Sequence, residues 1–444
     1  MNLLLRFNQL MCLCLFSNSL LIGQEVRPNI ILIMADDLGY ESLGCNGGTS
    51  YKTPHLDQMA KGGMRFEHAY AQPLCTPSRV QIMTGIYNVR NYIRFGLLHE
   101  SQTTFGHLFQ EAGYVTGIVG KWQLGKDFRS PSKAGFDEHC LWQVTEGRVD
   151  NTGRDTRFSE PVLQTNFILK THEKEEFGPQ VVANYGLDFI ERYGKAAKPF
   201  LLYYPMILTH CPFSPTPESP EWLRDDSTVM KYKGQAYYFE DMMAYTDLLV
   251  GEINDKLEEL GIKENTLLIF TGDNGTDVPI VSTLNGQSIA GAKGKSTDAG
   301  THVPLLAQWP AKIAVNQVNK ELVDFSDILP TICQAADIHV PTSLKIDGRS
   351  FLDQLEGKPT NPRKWIYSWY SRNGEGEKAR IFARNQTYKL YSTGEFYHIP
   401  TDPLEAKPLS LEKLDATSSQ LYGMLQEVLD QYAGRRLEKI PGDR

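Results

Sequence analysis

The sequence predicts an α/β protein: a mostly parallel sheet sandwiched by helices, followed by a smaller C-terminal α+β subdomain. Two observations carry this. Short apolar runs recur from Asn29 to Gln308, with amphipathic helical patterns between them. Strands alternating with helices imply a parallel sheet covered on both faces. After about residue 360 the pattern changes to short β-type runs separated by turns. The expected organisation is a leader over 1–23, an α/β unit over 24–360 and the α+β subdomain over 361–444.

The expected strands are Asn29–Met34, Tyr114–Val119, Pro199–Tyr204, Thr266–Phe270 and Val303–Gln308. Each is apolar without alternation, as parallel strands buried on two faces are. The clearest helix runs from Gln235 to Leu260. There Met242, Tyr245, Leu249, Ile253, Leu257 and Leu260 recur at three- and four-residue steps, and Gly261 follows as a C-terminal cap. In the C-terminal part, Trp365–Trp369, Ala379–Ala383 and Thr387–Tyr391 read as strands. Turns are expected at Asn373-Gly374 and Thr393-Gly394, and an amphipathic helix from Ser410 to Tyr432. The segment from Ser130 to Gly178 has no strong period and is expected to shape the rim of a site.

Composition narrows the function classes. The 444 residues are 41% hydrophobic and 22% charged, enough for a core without staples. With 45 basic and 53 acidic residues the net charge is −8, and no basic block offsets it. Nucleic acid is therefore excluded as a partner, because its phosphates need a basic face. Met1 to Gly23 holds one charge, Arg6, and an apolar run from Leu10 to Leu21 broken by Ser17, Asn18 and Ser19. It reads as a secretory signal peptide and is too interrupted for a membrane span. The residue directly after Gly23 is Gln24 and not a cysteine, so no lipid anchor is expected. The mature chain is expected to be exported, either periplasmic or secreted, without a membrane anchor. Of the seven cysteines, Cys12 and Cys14 leave with the leader. Cys45, Cys75, Cys140, Cys211 and Cys333 remain, with no pairing assigned.

Two acidic pairs follow predicted strands. Asp36-Asp37 follows the first, and Asp273-Asn274 follows the Thr266 run. Parallel strands bring such pairs to one edge of the sheet. Oxygen ligands with no thiolate or imidazole suit a hard cation, Ca²⁺ or Mg²⁺. The alternative is that these are turn and cap residues. Next comes Cys75-Thr76-Pro77-Ser78-Arg79, with Pro77 suited to the first turn of a helix. Cys75 would lie where helix N–H groups favour an anion, with Arg79 one turn on and able to reach back. This is an activated thiol, an anion site, or a buried helix-start cysteine beside a surface arginine.

Cys-x-Pro-Ser-Arg resembles the signature of the sulfatase family. Other motifs follow in that family's order. Asn29-Ile30-Ile31-Leu32-Ile33-Met34-Ala35-Asp36-Asp37 resembles its first strand and metal pair. Gly120-Lys121-Trp122-Gln123-Leu124-Gly125 is similar to its lysine-bearing turn, and Thr209-His210-Cys211-Pro212-Phe213 to its histidine loop. Asp273-Asn274-Gly275 matches the second metal pair, and Gly291-Ala292-Lys293-Gly294 its second lysine loop. Phe396-Tyr397 and Asp402-Pro403-Leu404-Glu405 resemble its late tyrosine and Asp-Pro segment. The resemblance covers about 28–410. It implies an alkaline-phosphatase-like fold and an exported sulfatase, of bacterial carbohydrate type, acting on a sulfated saccharide or other sulfate monoester.

The resemblance also implies roles. Cys75 is oxidised to Cα-formylglycine by a formylglycine-generating enzyme before export, and the hydrated aldehyde is the nucleophile. Asp36, Asp37, Asp273, Asn274 and residue 75 hold one Ca²⁺, with Mg²⁺ as the alternative. Arg79 and Lys121 neutralise the nucleophile and the sulfate oxygens, Lys293 clamps the sulfate, and His210 protonates the leaving oxygen. Two positions depart from the pattern. Gln123 stands where the family has a histidine that takes a proton during sulfate elimination, and glutamine is no base near neutral pH. His302 stands where an arginine is frequent, and is expected to contact substrate or hold its loop.

Around the mouth, Arg90, Asn91, Tyr92 and Arg94 are candidates for reading a glycan, as are Trp142 and His172. Two other functions remain open at this point. One is a phosphate or phosphonate ester hydrolase of the same superfamily. The other is a non-catalytic homologue that binds sulfated glycans.

Overall fold

The computed structural model describes residues 27–223 and 233–436. The expected signal peptide lies outside the described residues. Among the described residues, no helix is long and apolar enough to cross a membrane.

Ten strands form the central sheet. Its middle is a parallel block in the order Thr266–Gly272, Asn29–Ala35, Phe200–Pro205, Val115–Lys121 and Glu138–Trp142. The Asn29 strand is flanked on both sides, and all seven of its residues are buried. Its alternate side chains enter different cores. Ile30, Leu32 and Met34 join Val80, Phe105 and Ile328 on one face. Ile31, Ile33 and Ala35 join Val182, Phe189 and Leu249 on the other. A sheet covered on both faces explains why the strand runs are apolar throughout.

Helices Cys75–Thr84, Phe105–Glu111 and Ile328–Ala335 supply residues to the first core. Gly178–Lys195 and Phe239–Glu259 supply the second. The last of these ends where its pattern ends, and Gly261 takes the left-handed conformation (φ 66°) of a cap glycine.

One strand direction differs from expectation. Leu305–Gln308 is antiparallel to both neighbours, Thr266–Gly272 and Met64–Tyr70. The chain reaches it from a loop that leaves the carboxyl edge of the Thr266 strand, so it runs back the other way. A short buried apolar run carries no sign of its direction.

The C-terminal strands Ile366–Tyr370, Arg380–Arg384, Tyr388–Tyr391 and Phe396–His398 form an antiparallel sheet in sequence order. Helix Ala416–Tyr432 packs on it. Tyr367, Trp369 and Leu425 belong to the same buried cluster as Val80. This sheet therefore rests directly against the layer that carries the Cys75 helix.

Gly120 places the last residue of the Val115 strand. Its φ is 112°, and a Cβ there would lie 2.0 Å from the Pro205 carbonyl oxygen. Neither strand can move aside without breaking the parallel ladder. Gly120→Ala is expected to cost about 3 kcal/mol or more of stability. Urea denaturation checks this; a loss below about 0.5 kcal/mol would show that the backbone there is not constrained.

Candidate active site

The site is built on the carboxyl edge of the parallel block. Ala35 and Gly272 are paired in register, so the residues after them leave the sheet side by side. The Asp37 N–H donates to Asp273 Oδ1 at 2.9 Å, and Asn274 Nδ2 donates to Asp37 Oδ1 at 2.9 Å. Asp36, Asp37, Asp273 and Asn274 are all buried, at 2% exposure or less. Burial and mutual repulsion push the Asp273 carboxyl well above the usual carboxylate range. Burial raises Asp37 as well, against the pull of Lys293.

Two acceptor oxygens here, Asp36 Oδ1 and Asn274 Oδ1, are buried without a partner. One ligand atom from each of Asp36, Cys75 and Asp273 falls within 4.8 Å of the others. Orphaned acceptors beside crowded carboxylates fit a hard divalent cation better than they fit turn-capping roles.

Two lysines balance part of this charge. Lys121, the last residue of its strand, places Nζ 2.8 Å from Asp36 Oδ2, with both side chains 2% exposed. Lys293 Nζ pairs with Asp37 Oδ2. Burial opposes the charge on each lysine, yet Asp36 and Asp37 hold both above the ordinary lysine range.

Cys75 is the first residue of helix Cys75–Thr84 and is 2% exposed. Its Sγ lies 3.7 Å from Gln123 Oε1. The thiol is not activated. Burial pushes it up, and neither Lys121 nor the helix N-terminus reverses that. Arg79 does not reach back to Cys75. It is buried, and its guanidinium donates to the carbonyls of Trp122 and of Lys121 (2.6 Å). It fixes the turn that presents Lys121 and Gln123. A side chain one helical turn on can leave along either flank, and spacing alone does not say which.

Gln123 sits at positive φ (46°), and its N–H donates to the Gln143 carbonyl. His210 follows a segment fastened to the first acidic pair. The Asp36 N–H donates to Leu208 O, and the Thr209 N–H donates to Asp36 O, both at 2.8 Å. His210 Nε2 faces Lys293 Nζ at 2.9 Å, and Nδ1 faces the Cys211 carbonyl. Nε2 accepts from the Lys293 ammonium, while Nδ1 meets both the Cys211 carbonyl and the Arg157 guanidinium (2.9 Å). Burial and then Lys293 hold the imidazole well below its ordinary pKa, so it is neutral.

These groups meet in a cavity of about 350 Å³ whose lining includes Cys75, Lys121, Gln123, His210 and Lys293. Trp142 also lines it, from the rim segment. Arg157 was not among the sequence candidates. It is 1% exposed, pairs with Asp155 at 2.6 Å, donates to the Cys211 carbonyl at 2.6 Å and lies over the Trp142 ring at 4.7 Å. Its place in the unpatterned rim segment was the only signal for it.

Several candidates lie elsewhere. Tyr92 is fully buried, and its hydroxyl donates to the Arg372 carbonyl, so it is a support and not a sugar platform. Arg94 lines a separate cavity beside Trp122 and Lys133. Arg90 pairs with Asp347, and Asn91 donates to Thr84 Oγ1. His172 pairs with Glu176. His302 is not among the residues lining the Cys75 cavity. Its ring stacks on Tyr40 (4.1 Å) and Tyr70 (4.9 Å), and Nε2 donates to the Glu67 carbonyl. It ties its loop to the Met64 strand. None of the five described cysteines, Cys45, Cys75, Cys140, Cys211 and Cys333, forms a disulfide.

Comparisons with known proteins place the chain in a family. The sulfatase family model matches residues 28–338, and the model of the N-sulphoglucosamine sulphohydrolase C-terminal region matches 295–432. Arylsulfatase G of Rattus norvegicus is 34% identical over 414 residues, covering 83% of this chain and 76% of that protein. N-acetylgalactosamine-6-sulfatase of Canis lupus familiaris is 32% identical over 376 residues, covering 78% and 69%. The solved structure of Ps i-CgsB in complex with k-i-k-neocarrahexaose superposes with a TM-score of 0.76. It is 23% identical and covers 93% of this chain and 94% of that one, a likeness of fold. The edge of the sheet that gathers Asp36, Cys75, Lys121 and Asp273 is thus the edge of an alkaline-phosphatase-like fold, and the chain belongs to the sulfatase family as a sulfuric ester hydrolase.

Proposed function

We propose that this enzyme is an exported carbohydrate sulfatase, using formylglycine made from Cys75 and one Ca²⁺. The observation that carries this reading is the pair of orphaned buried oxygens, Asp36 Oδ1 and Asn274 Oδ1, beside Cys75. Asp36, Asp37, Asp273 and Asn274 would hold the cation, with residue 75 next to them. The cation supplies charge to polarise a sulfate oxygen, and the modified residue supplies the attacking hydroxyl. A sugar substrate is supported by the relative named N-acetylgalactosamine-6-sulfatase and by the neighbour solved with a neocarrahexaose.

The chain's own residues then have separable tasks. Lys121 and Lys293 bring fixed positive charge to the cavity, where donors to a sulfate act with little reorganisation. The His210 imidazole is neutral in the resting site, with Nε2 accepting from Lys293 Nζ, so it must first gain a proton before it can pass one to the leaving sugar oxygen. Arg157 and the Cys211 carbonyl keep the imidazole oriented for that transfer. Gln123 can accept a hydrogen bond from residue 75 but cannot take its proton.

The peptide containing Cys75, isolated from the native host, should show an aldehyde in place of the thiol by mass spectrometry. An unmodified cysteine there would overturn the reading. Chelation should abolish sulfate release, and Ca²⁺ should restore it more fully than Mg²⁺; activity that survives exhaustive chelation would exclude the cation. Lys293→Ala should lower kcat/KM by roughly 100-fold or more. Gln123→His tests the departure. Histidine tolerates the positive φ at this position, so the backbone need not change. The variant should raise kcat by roughly tenfold and add an ascending limb near pH 6.5 to the pH–rate profile. A fall in kcat without a new limb would show that another group already takes the proton.

A further inference from the structure

The cations around the cavity are not equivalent. Lys121, Lys293, Arg157 and Lys233 each have a carboxylate partner, Asp36, Asp37, Asp155 and Asp277 respectively. Arg148 and Arg372 also line the cavity, Arg148 from the rim segment with an interaction of its own and Arg372 from the C-terminal part of the chain. The Arg372 side chain is exposed, its guanidinium lies 5.0 Å from the centre of the Phe95 ring, and no carboxylate among the described residues meets it.

The Arg372 backbone is nevertheless held firmly. The Tyr92 hydroxyl donates to the Arg372 carbonyl at 2.7 Å. Arg436 joins the two segments from the far side, donating to the carbonyls of Tyr92 and of Gly374. Gly374 takes φ 76°, and a Cβ there would meet the Ile93 carbonyl oxygen at 1.7 Å. The turn carrying Arg372 therefore packs backbone to backbone on the Tyr92–Phe95 segment. Tyr370, two residues earlier, also lines the cavity, and its hydroxyl lies 4.0 Å from where a Cβ on Gly294, next to Lys293, would stand. Phe95, Tyr370 and Arg372 thus contribute aromatic surface and an exposed guanidinium to the cavity lining.

A guanidinium on a fixed backbone, already desolvated on one face by an aromatic ring, is suited to bidentate binding of a carboxylate or sulfate. The protein as a whole carries a net charge of −8, so an anionic glycan gains nothing from the distant surface. Discrimination has to come from local cations that are not already paired. We propose that Arg372, flanked by Phe95 and Tyr370, is a subsite for a second anionic group on the substrate. That group is a sulfate or carboxylate on the sugar bearing the scissile sulfate or on the adjoining sugar. The assignment rests on the carbohydrate-sulfatase reading above.

The test uses the full-length modified enzyme and three matched substrates. They are a monosulfated hexosamine, its disulfated counterpart, and a monosulfated disaccharide bearing a uronic acid. The wild type should prefer at least one dianionic substrate by about tenfold in kcat/KM, mainly through KM. The disulfated and uronate arms distinguish sulfate from carboxylate. Arg372→Gln should bring that ratio to about one, and Arg372→Lys should retain part of it. A wild-type ratio of one, or a ratio that Arg372→Gln leaves intact, overturns the subsite.

Calorimetry adds a readout that needs no turnover. Desulfated product that keeps the second anionic group should bind Arg372→Gln about tenfold more weakly than wild type. Equal binding overturns the subsite. If no substrate releases sulfate but this difference in binding persists, the carbohydrate-sulfatase reading fails and the subsite stands.

Discussion

Three carboxylates are buried together at the end of two neighbouring parallel strands, and the rest of the site is arranged around that charge. The register of the Asn29 and Thr266 strands forces Asp36, Asp37 and Asp273 into one volume. Such a cluster is tolerable only with compensating positive charge. Lys121 and Lys293 supply part of it, and each is delivered by its own backbone device. Gly120 bends the strand end that carries Lys121, and Arg79 grips the carbonyls on either side of the turn. Lys293 is placed by a loop whose N–H groups bond to Thr276 and Pro73. Taking away either lysine would leave a buried carboxylate unpaired, which is why the same residues serve folding and chemistry.

The C-terminal sheet is part of this arrangement. Lys389, fully buried, donates to the Ser296 carbonyl and to Glu405. Glu405 also accepts from the Asp298 N–H, and Arg384 pairs with Asp298. These contacts close the loop that begins at Lys293. The second buried polar network therefore holds one side of the first in place, and it is fully partnered where the first has orphaned oxygens.

Much of the site was legible in the sequence because its key residues are tied to regular elements. The acidic pairs follow apolar strand runs, and Cys75 opens a helix marked by Pro77. What was not legible depends on long-range placement. Arg157 meets His210 across 53 residues of chain, with no local period to announce it. His302 has the right chemistry for a ligand, yet three stacked rings claim it. Tyr92 has the right chemistry for sugar stacking, but its ring is buried and only its hydroxyl is used. The direction of Leu305–Gln308 was hidden for a related reason. Burial on both faces makes an antiparallel strand read as apolar throughout, like its parallel neighbours.

Among the described residues, the four cysteines other than Cys75 share one consequence of this packing. Burial pushes Cys45 and Cys333 up to about 12, and Cys140 and Cys211 up to about 11. Only the thiolate attacks a disulfide, and a thiol of that kind is ionised in roughly one molecule in ten thousand or fewer at neutral pH. Thiol–disulfide exchange at these positions is therefore slow, whatever the surrounding redox potential. Among the described residues, no disulfide joins any of these four thiols.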